Sequence, residues 1–381
     1  MGVQREQATV DRMRSLMAKR PAAGRSAAGG SGAAPPRAGR IASALTHQVA
    51  AVGGPAHAPG HAAARCGPLT PTRDAPMRAR GAKRTRVLLL TTAHNEARFA
   101  DALFDGVMSQ TRRPDRWIVV DDGSSDGTFE ALAGRAARVP WITVVRREPV
   151  DHRIPDRLAV AAVPRSLNKA LARIDWRAYT HIGKLDADVQ LPAGFLEQLL
   201  RDFDADPSLG MTGGLLTERH GRRWRHVTQP STHAPPPARL YSRECFEASG
   251  GFRERLAWDT IDEVYSRMLG YSTRVNAAVR VRHLRVQGTA DGRLRGRARH
   301  GACAWIAHYP PLFVLLRSAK VAVRFTPWGL SGLAFLWGYL AAALRGVPRV
   351  DDTDFRCYVR RELRARIITA LRAATRVGGQ V

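Results

Sequence analysis

Residues 116–128 of this chain have the sequence Arg-Trp-Ile-Val-Val-Asp-Asp-Gly-Ser-Ser-Asp-Gly-Thr. The stretch opens with a short apolar run, Trp117 to Val120, of the kind that forms a buried parallel strand. It then changes abruptly to Asp, Gly and Ser, which favour turns and helix starts. The stretch therefore predicts a strand, a carboxylate-rich turn and a helix that begins near Ser125 or Asp126.

The same alternation of strand and helix continues on both sides of this stretch. Apolar runs predict further strands at 87–90, 141–145, 179–185 and 211–216, and one-sided apolar patterns predict helices at 96–108 and 194–203. Strands that alternate with helices are typical of an α/β fold built on a mostly parallel, Rossmann-like sheet with flanking helices. Such sheets bind ligands beyond the carboxyl ends of the strands, where the strand order reverses.

Three of the predicted strands end in polar clusters, which would share one edge of the sheet. The clusters are His94-Asn95-Glu96, Asp121-Asp122 and Asp186-Ala187-Asp188. Asp186 and Asp188 can reach toward the same point, and Mg²⁺ or Mn²⁺ is often held by one or two carboxylates plus substrate phosphates. Asp121 can accept hydrogen bonds from a nucleoside. The alternative is structural, because Asp-x-Asp is common at surfaces and Asp, Gly and Ser also serve turns and caps.

Together these motifs resemble glycosyltransferase family 2. The resemblance rests on Thr92-Ala93-His94-Asn95-Glu96, on the Asp-Asp-Gly-Ser-Ser-Asp-Gly-Thr run from Asp121 and on Lys184-Leu185-Asp186-Ala187-Asp188, and it covers roughly residues 86–290. It implies a GT-A fold, a nucleotide-diphosphate sugar donor, Mg²⁺ or Mn²⁺ as cofactor, and an inverting single displacement onto a sugar, glycolipid or other hydroxyl acceptor. His94 departs from the pattern, since many members have an aromatic residue there.

The resemblance also implies roles for individual residues. The implied donor contacts are Thr92, Asn95, Glu96, Asp121, Asp122, Lys184 and Asp186, with Glu96 and Asp121 at the nucleoside. The implied metal ligands are Asp186 and Asp188, and in related enzymes a late histidine, here His283, joins the metal or touches the diphosphate. A lone histidine is also often structural.

An inverting displacement needs a general base that takes the proton of the acceptor hydroxyl. The family usually supplies an Asp from a Glu-Asp pair at the start of a late helix. Asp259 occupies that position, but Trp258 replaces the Glu, so Asp262, one turn further on, remains a second candidate. The alternative is that these acids serve as caps and complement the helix dipole.

The ends of the chain have a different composition. Residues 1–85 are rich in Ala, Gly, Pro and Arg and predict a disordered segment, or a start codon placed further along. The predicted domains are thus 1–85, disordered; 86–300, GT-A; and 301–381, helical. We find no apolar core of a signal peptide, and the four cysteines lie far apart, which predicts reduced thiols in a cytoplasmic protein.

The C-terminal region predicts contact with a membrane. Tyr309 to Phe325 is apolar apart from cations on one stripe, and Trp328 to Leu344, after a predicted helix start at Pro327, is uncharged and apolar all round. The second segment could be interfacial, membrane-spanning or a buried core helix. The final helix has an apolar stripe at Phe355, Val359, Leu363, Ile367 and Leu371, and could pack on the domain or attract anionic lipid.

The sequence therefore predicts a glycosyltransferase that is peripheral or monotopic at the cytoplasmic membrane, in cell-surface polysaccharide or glycolipid synthesis. One rival is a nucleotidyltransferase on a similar scaffold, although 91–96 is not the Gly-rich loop with Arg and Lys which that class needs. Another is an arginine-rich nucleic-acid-binding protein, suggested by the net charge of +27. No helix-turn-helix, zinc-finger or RNA-binding signature accompanies that charge, so we expect no nucleic-acid partner.

Overall fold

A computed structural model of the chain describes residues 84–147, 161–220, 223–285 and 292–378. Almost all of the predicted segment 1–85 lies outside these residues. The strands are β1 (Val87–Ala93), β2 (Arg116–Asp121), β3 (Ile142–Arg146), β4 (His181–Asp186), β5 (Val189–Gln190), β6 (Leu209–His220), β7 (Arg223–His226), β8 (Ala238–Ser242) and β9 (Ser272–His283). The α-helices are α1 (Ala100–Met108), α2 (Thr128–Ala136), α3 (Ala162–Leu171), α4 (Phe195–Ala205), α5 (Arg243–Ala248), α6 (Trp258–Met268), α7 (Arg293–Ile306), α8 (Pro311–Arg324), α9 (Leu330–Leu344) and α10 (Thr353–Gly378).

These strands form one sheet in the order β3-β2-β1-β4-β8-β6-β9-β5, with β7 paired to β6. The first four strands of this order run parallel. β8 is antiparallel to both β4 and β6, whereas β9 is parallel to β6. The predicted α/β GT-A fold with flanking helices is confirmed, with a parallel first half and a mixed second half. The strand order reverses at β1, which lies between β2 and β4.

Both faces of the parallel half are buried, which explains its unbroken apolar runs. Along β1, Val87 and Leu89 pack into the core on one face of the sheet, and Leu88 and Leu90 pack into the core on the other. Successive side chains of a strand point to opposite faces, so a strand covered on both sides has to be apolar at every position. This burial fixes where each strand ends and therefore where its polar cluster lies.

The C-terminal helices pack against one another and against the domain. α7 and α9 cross so closely that a Cβ on Gly301 would lie 1.9 Å from the carbonyl oxygen of Phe335. Phe355, Val359 and Leu363 of α10 pack in the same apolar cluster as residues of α6, as expected if this helix packs on the domain. No helix in the described part of the chain has the length and apolarity to span a bilayer.

Three details depart from the sequence predictions. α9 begins at Leu330 instead of Pro327, and α7 runs across the predicted domain boundary at residue 300, so that division of the chain stays a prediction. Cys357 is disulfide-bonded, so the expectation of reduced cysteines is wrong at that position. Cys245 and Cys303 are free thiols.

Candidate active site

The three polar clusters lie on one rim of the sheet, as predicted. β1 ends between β2 and β4, with Thr92 beside Asp186 and Ala93 beside Asp121 in the strand registers. The loops after β1 and β2 are also joined, because the backbone N–H of Ser125 donates to Oδ1 of Asn95 at 2.9 Å. Asn95 adopts a left-handed backbone conformation with φ of 56°, which Asn tolerates better than most residues.

Asp121 has a buried carboxylate oxygen without a hydrogen-bond partner in the described part of the chain. Its side chain is 0% exposed, and its Oδ2 accepts a long hydrogen bond of 3.3 Å from the N–H of Ser124. Its Oδ1 has no hydrogen-bond partner among the residues that the structure describes. Unsatisfied buried polar groups are rare and costly, so this oxygen is suited to a hydrogen-bond donor on a ligand.

Asp122, the next residue, is bound by other side chains of the protein. Its Oδ1 accepts a hydrogen bond from Nη1 of Arg147 at 2.6 Å and another from the hydroxyl of Ser166 at 3.0 Å. This ion pair is nearly buried on the Asp122 side. The contacts favour a structural role, and the assignment of Asp122 to the donor site stays a prediction.

The predicted metal ligands converge at the end of β4. Nε2 of His283 lies 3.3 Å from Oδ1 of Asp188, because β9 pairs with β5 just past the Asp-Ala-Asp turn. Lys184 makes an ion pair with Asp186 and also donates to the carbonyl oxygen of Pro236 at 2.8 Å. Asp186, Asp188 and His283 are therefore brought together.

The pKa shifts reflect this crowding of charge. Burial acts to lower the pKa of His283, but the neighbouring carboxylates of Asp188 and Glu218 outweigh it and raise the pKa to about 9. Burial likewise acts to raise the pKa of Asp188, but His283 and Arg285 together hold it below its usual value. Burial raises the pKa of Asp186, with Lys184 opposing and Asp188 adding to the shift.

Arg285 connects the nucleoside end of the rim with the metal end. It forms an ion pair with Glu96, and its Nε lies 3.3 Å from Oδ2 of Asp188. Burial raises the pKa of Glu96 to about 7, although Arg285 opposes this shift. From the sequence, Arg285 is a candidate contact of the diphosphate because it follows His283 by two residues, but its contact with both clusters was not predicted.

Glu218 was missed by the sequence analysis. Its Oε1 lies 3.6 Å from Nδ1 of His283, and the two residues face each other in the register of β6 and β9. The available signal was an acid two residues after the predicted strand 211–216, similar to the position of Asp121 and Asp186 directly after their strands. Glu218 adds a second negative charge beside the histidine, on the side opposite Asp188.

The two candidate bases on α6 have different surroundings. Asp262 is 1% exposed and is held by Arg239 at 3.1 Å and by the hydroxyl of Tyr241 at 2.6 Å. Burial raises the pKa of Asp262 to about 7, and its carboxylate is almost fully enclosed by the protein. Asp259 is half-buried at the start of the helix, and the adjacent Trp258 ring lies 5.7 Å from Nζ of Lys184. The geometry favours Asp259, and both assignments stay predictions.

The side chains at the end of β4 suit a divalent cation, although the described residues contain no ready-made cluster of three or more ligating side chains. Two carboxylates and an imidazole form a donor set that Mn²⁺ accepts, and Mg²⁺ commonly takes one or two carboxylates plus phosphate oxygens. Lys184, His283 and Arg285 now face these carboxylates. The carboxylates at the end of β4 therefore already attract positively charged groups.

Comparison with known proteins assigns the domain that carries this rim. Residues 89–258 match the family model described as glycosyl transferase family 2. The chain is a glycosyltransferase. This part of it, which contains most of β1, all of β2 and β4 and the first residue of α6, belongs to glycosyl transferase family 2. No curated protein matches the chain in sequence.

Several solved structures are similar to the chain. Mannosyltransferase PcManGT from Pyrobaculum calidifontis, in complex with GDP-Man and Mn²⁺, is 19% identical, with 77% of this chain and 81% of that one covered and a TM-score of 0.44. GalNAc-T7 with UDP, GalNAc and Mn²⁺ is 13% identical, with 69% and 57% covered and a TM-score of 0.43. TarS of S. aureus is 12% identical, with 64% and 44% covered and a TM-score of 0.41. At these identities and TM-scores they assign neither a donor nor a metal to this chain.

Proposed function

We propose that this chain transfers a sugar from a nucleotide-diphosphate sugar to a hydroxyl acceptor, with Mg²⁺ or Mn²⁺ and with inversion at the anomeric carbon. The observation that carries the proposal is the rim itself. It combines a buried carboxylate oxygen on Asp121, unsatisfied among the described residues, with paired carboxylates on Asp186 and Asp188, at the ends of the two parallel strands that flank β1. The first suits a nucleoside and the second a cation that accompanies a diphosphate.

The donor would lie along the rim between these two points. Asp121 accepts a hydrogen bond from the nucleoside, and Glu96 lies one loop away in contact with Arg285. Asp186 and Asp188, with His283 beside them, would hold the metal. When bound, the metal supplies positive charge that stabilises the departing diphosphate. Arg285 carries a further positive charge to the same end of the rim.

Asp259 acts as the general base in this proposal. The acceptor oxygen attacks the anomeric carbon from the face opposite the diphosphate, a new C–O bond forms, and the bond from the anomeric carbon to the β-phosphate oxygen breaks. Asp259 takes the acceptor proton, and the nucleoside diphosphate leaves. Arg239 supports this position, because it donates to the backbone carbonyl of Asp259 at 3.2 Å and thereby fixes the first turn of α6.

We place this reaction in cell-surface polysaccharide or glycolipid synthesis at the cytoplasmic face of a membrane. Support for that setting comes from the C-terminal helices, whose surface is analysed below. No feature of the rim calls for a nucleic-acid partner.

Donor hydrolysis by the full chain tests the proposed function. A panel of UDP-, GDP- and dTDP-sugars is supplied with Mn²⁺ or Mg²⁺, and the released nucleotide is identified. We expect a nucleoside diphosphate, released from one donor and abolished by EDTA and by Asp188→Ala. Asp204→Ala removes an exposed aspartate of α4 and serves as the matched control. Release of pyrophosphate would indicate a nucleotidyltransferase, and absence of both release and metal-dependent nucleotide binding would refute the proposal.

A further inference from the structure

Helices α8 and α9 expose a large apolar surface. Eleven of the fifteen large hydrophobic side chains that are exposed in the described residues lie between positions 312 and 344. On α9 they form a stripe with alternating spacings of three and four residues, which places them on one face of the helix: Leu330, Leu333, Trp337, Leu340 and Leu344. Their exposed fractions run from 45% to 83%. Exposed apolar patches of this extent mark interaction surfaces.

The opposite side of α9 is firmly packed, so the stripe has a fixed outward direction. Phe335 and Tyr339 are buried in a cluster with Val314 of α8. A Cβ on Gly338 would lie 1.8 Å from the carbonyl oxygen of Ala298, so the backbones of α7 and α9 are in direct contact there. The helix cannot rotate the stripe inward without losing this contact.

The charge around the stripe selects its partner. Residues 292–350 contain nine Lys or Arg residues and no Asp or Glu. Four of these cations are exposed on or beside the two helices: Arg317, Lys320, Arg324 and Arg345. A symmetric dimer through this surface would bring like charges together, which is unfavourable, whereas an anionic surface would complement them. Exposed Trp328 and Trp337 are of the type enriched where apolar and aqueous phases meet.

We propose that the α8–α9 surface binds an anionic lipid bilayer, with both helices lying in the plane of the interface. At 15 residues α9 is about 22 Å long, shorter than the ~30 Å hydrocarbon core. A helix that combines an apolar stripe with flanking cations is typical of attachment to the surface of a bilayer. The proposal assigns a partner to a part of the chain outside the donor site and does not depend on the reaction proposed there.

Vesicle sedimentation with the full chain tests the proposal. The probe is vesicles of phosphatidylcholine with about 30% phosphatidylglycerol, compared with vesicles of phosphatidylcholine alone. We expect binding to the anionic vesicles that weakens as salt is raised, and much weaker binding to the neutral ones. Sedimentation equal to that of the lipid-free sample would overturn the proposal.

Two matched tryptophan variants identify the surface that binds. Trp337→Glu places a charge in the stripe, and Trp224→Glu makes the same change at an exposed tryptophan of β7. We expect the first variant to bind at least about tenfold more weakly and the second to bind as the wild type does. Equal binding by all three proteins would place the lipid contact elsewhere and refute the assignment. Circular dichroism verifies that both variants fold.

The contribution of the exposed cations to bilayer binding is tested by separate variants. Lys320→Gln and Arg345→Gln should each weaken binding to anionic vesicles roughly fivefold, without change to the apolar surface. No loss in either variant would contradict the choice of an anionic partner. Light scattering addresses the alternative occupant, because a lipid-free dimer that Trp337→Glu converts to a monomer would assign the surface to a second copy of the chain.

Discussion

Replacement of Asp121 by Asn should reduce nucleotide affinity while leaving the fold almost as stable as before. The carboxylate makes one long hydrogen bond of 3.3 Å to Ser124, and the side chain of Arg146 is 3.9 Å away, so little native stabilisation is lost. A ligand hydrogen bond to its free Oδ1 would be charge-assisted and worth about 1.5–3 kcal/mol. We therefore expect the nucleotide Kd to rise by about 10- to 150-fold.

Asp122→Asn is the matched comparison, since it makes the same chemical change one residue away. Asp122 is bound by Arg147 and Ser166, so this variant should lose about 2 kcal/mol of unfolding free energy but keep its nucleotide affinity. Calorimetric titration with the nucleoside diphosphate of the identified donor measures Kd, and urea unfolding measures stability. Unchanged affinity in Asp121→Asn, or an equal loss in both variants, would refute the assigned roles.

Three further predictions follow from the same structure. Asp259→Asn should lower kcat by about 10²–10⁴-fold with donor affinity retained, as steady-state kinetics and calorimetry would show, and equal turnover would exclude it as the base. Asp262→Asn should destabilise the fold by about 3 kcal/mol in chemical unfolding, because it leaves Arg239 buried without its ionic partner; unchanged stability would contradict that pairing. Gly301→Ala should lower the free energy of unfolding by about 2–3 kcal/mol, because the added methyl group separates α7 from α9. Gly134→Ala has open space at its Cβ and should raise the free energy of unfolding by about 0.5–1 kcal/mol. Thermal melting that shifts both variants alike would argue against the close crossing.

The sequence predicted the half of the fold that is buried on both faces. Each strand there is a short unbroken apolar run that ends in a polar cluster, as in Val87 to Leu90, so its ends are visible in the residues themselves. The shared rim followed from the general placement of ligands in parallel sheets. The family assignment then added roles that residue chemistry alone left open.

Contacts between residues that lie far apart in the chain could not be predicted from the sequence. Arg285 contacts Glu96 from 189 positions away, and no local pattern marks which of the many arginines does so. The burial of Asp262 depends on Arg239 and Tyr241, which lie on another element. α9 is apolar all round in sequence, so only its packing on α7 shows which residues face solvent.

The close crossing of α7 and α9 also fixes where the exposed surface of α9 lies relative to α7. Because the two backbones touch at Gly301 and Gly338, α7 and α9 cannot shift relative to each other without losing this contact. Ile306 of α7 also packs with Ile261 and Val264 in one apolar cluster, so α7 is held to α6, the helix that carries Asp259. In the proposed membrane-bound state, this packing would set the distance between the rim and the bilayer surface. An acceptor anchored in that bilayer would then have to extend its hydroxyl across this distance, so the length of its polar part would help to select it.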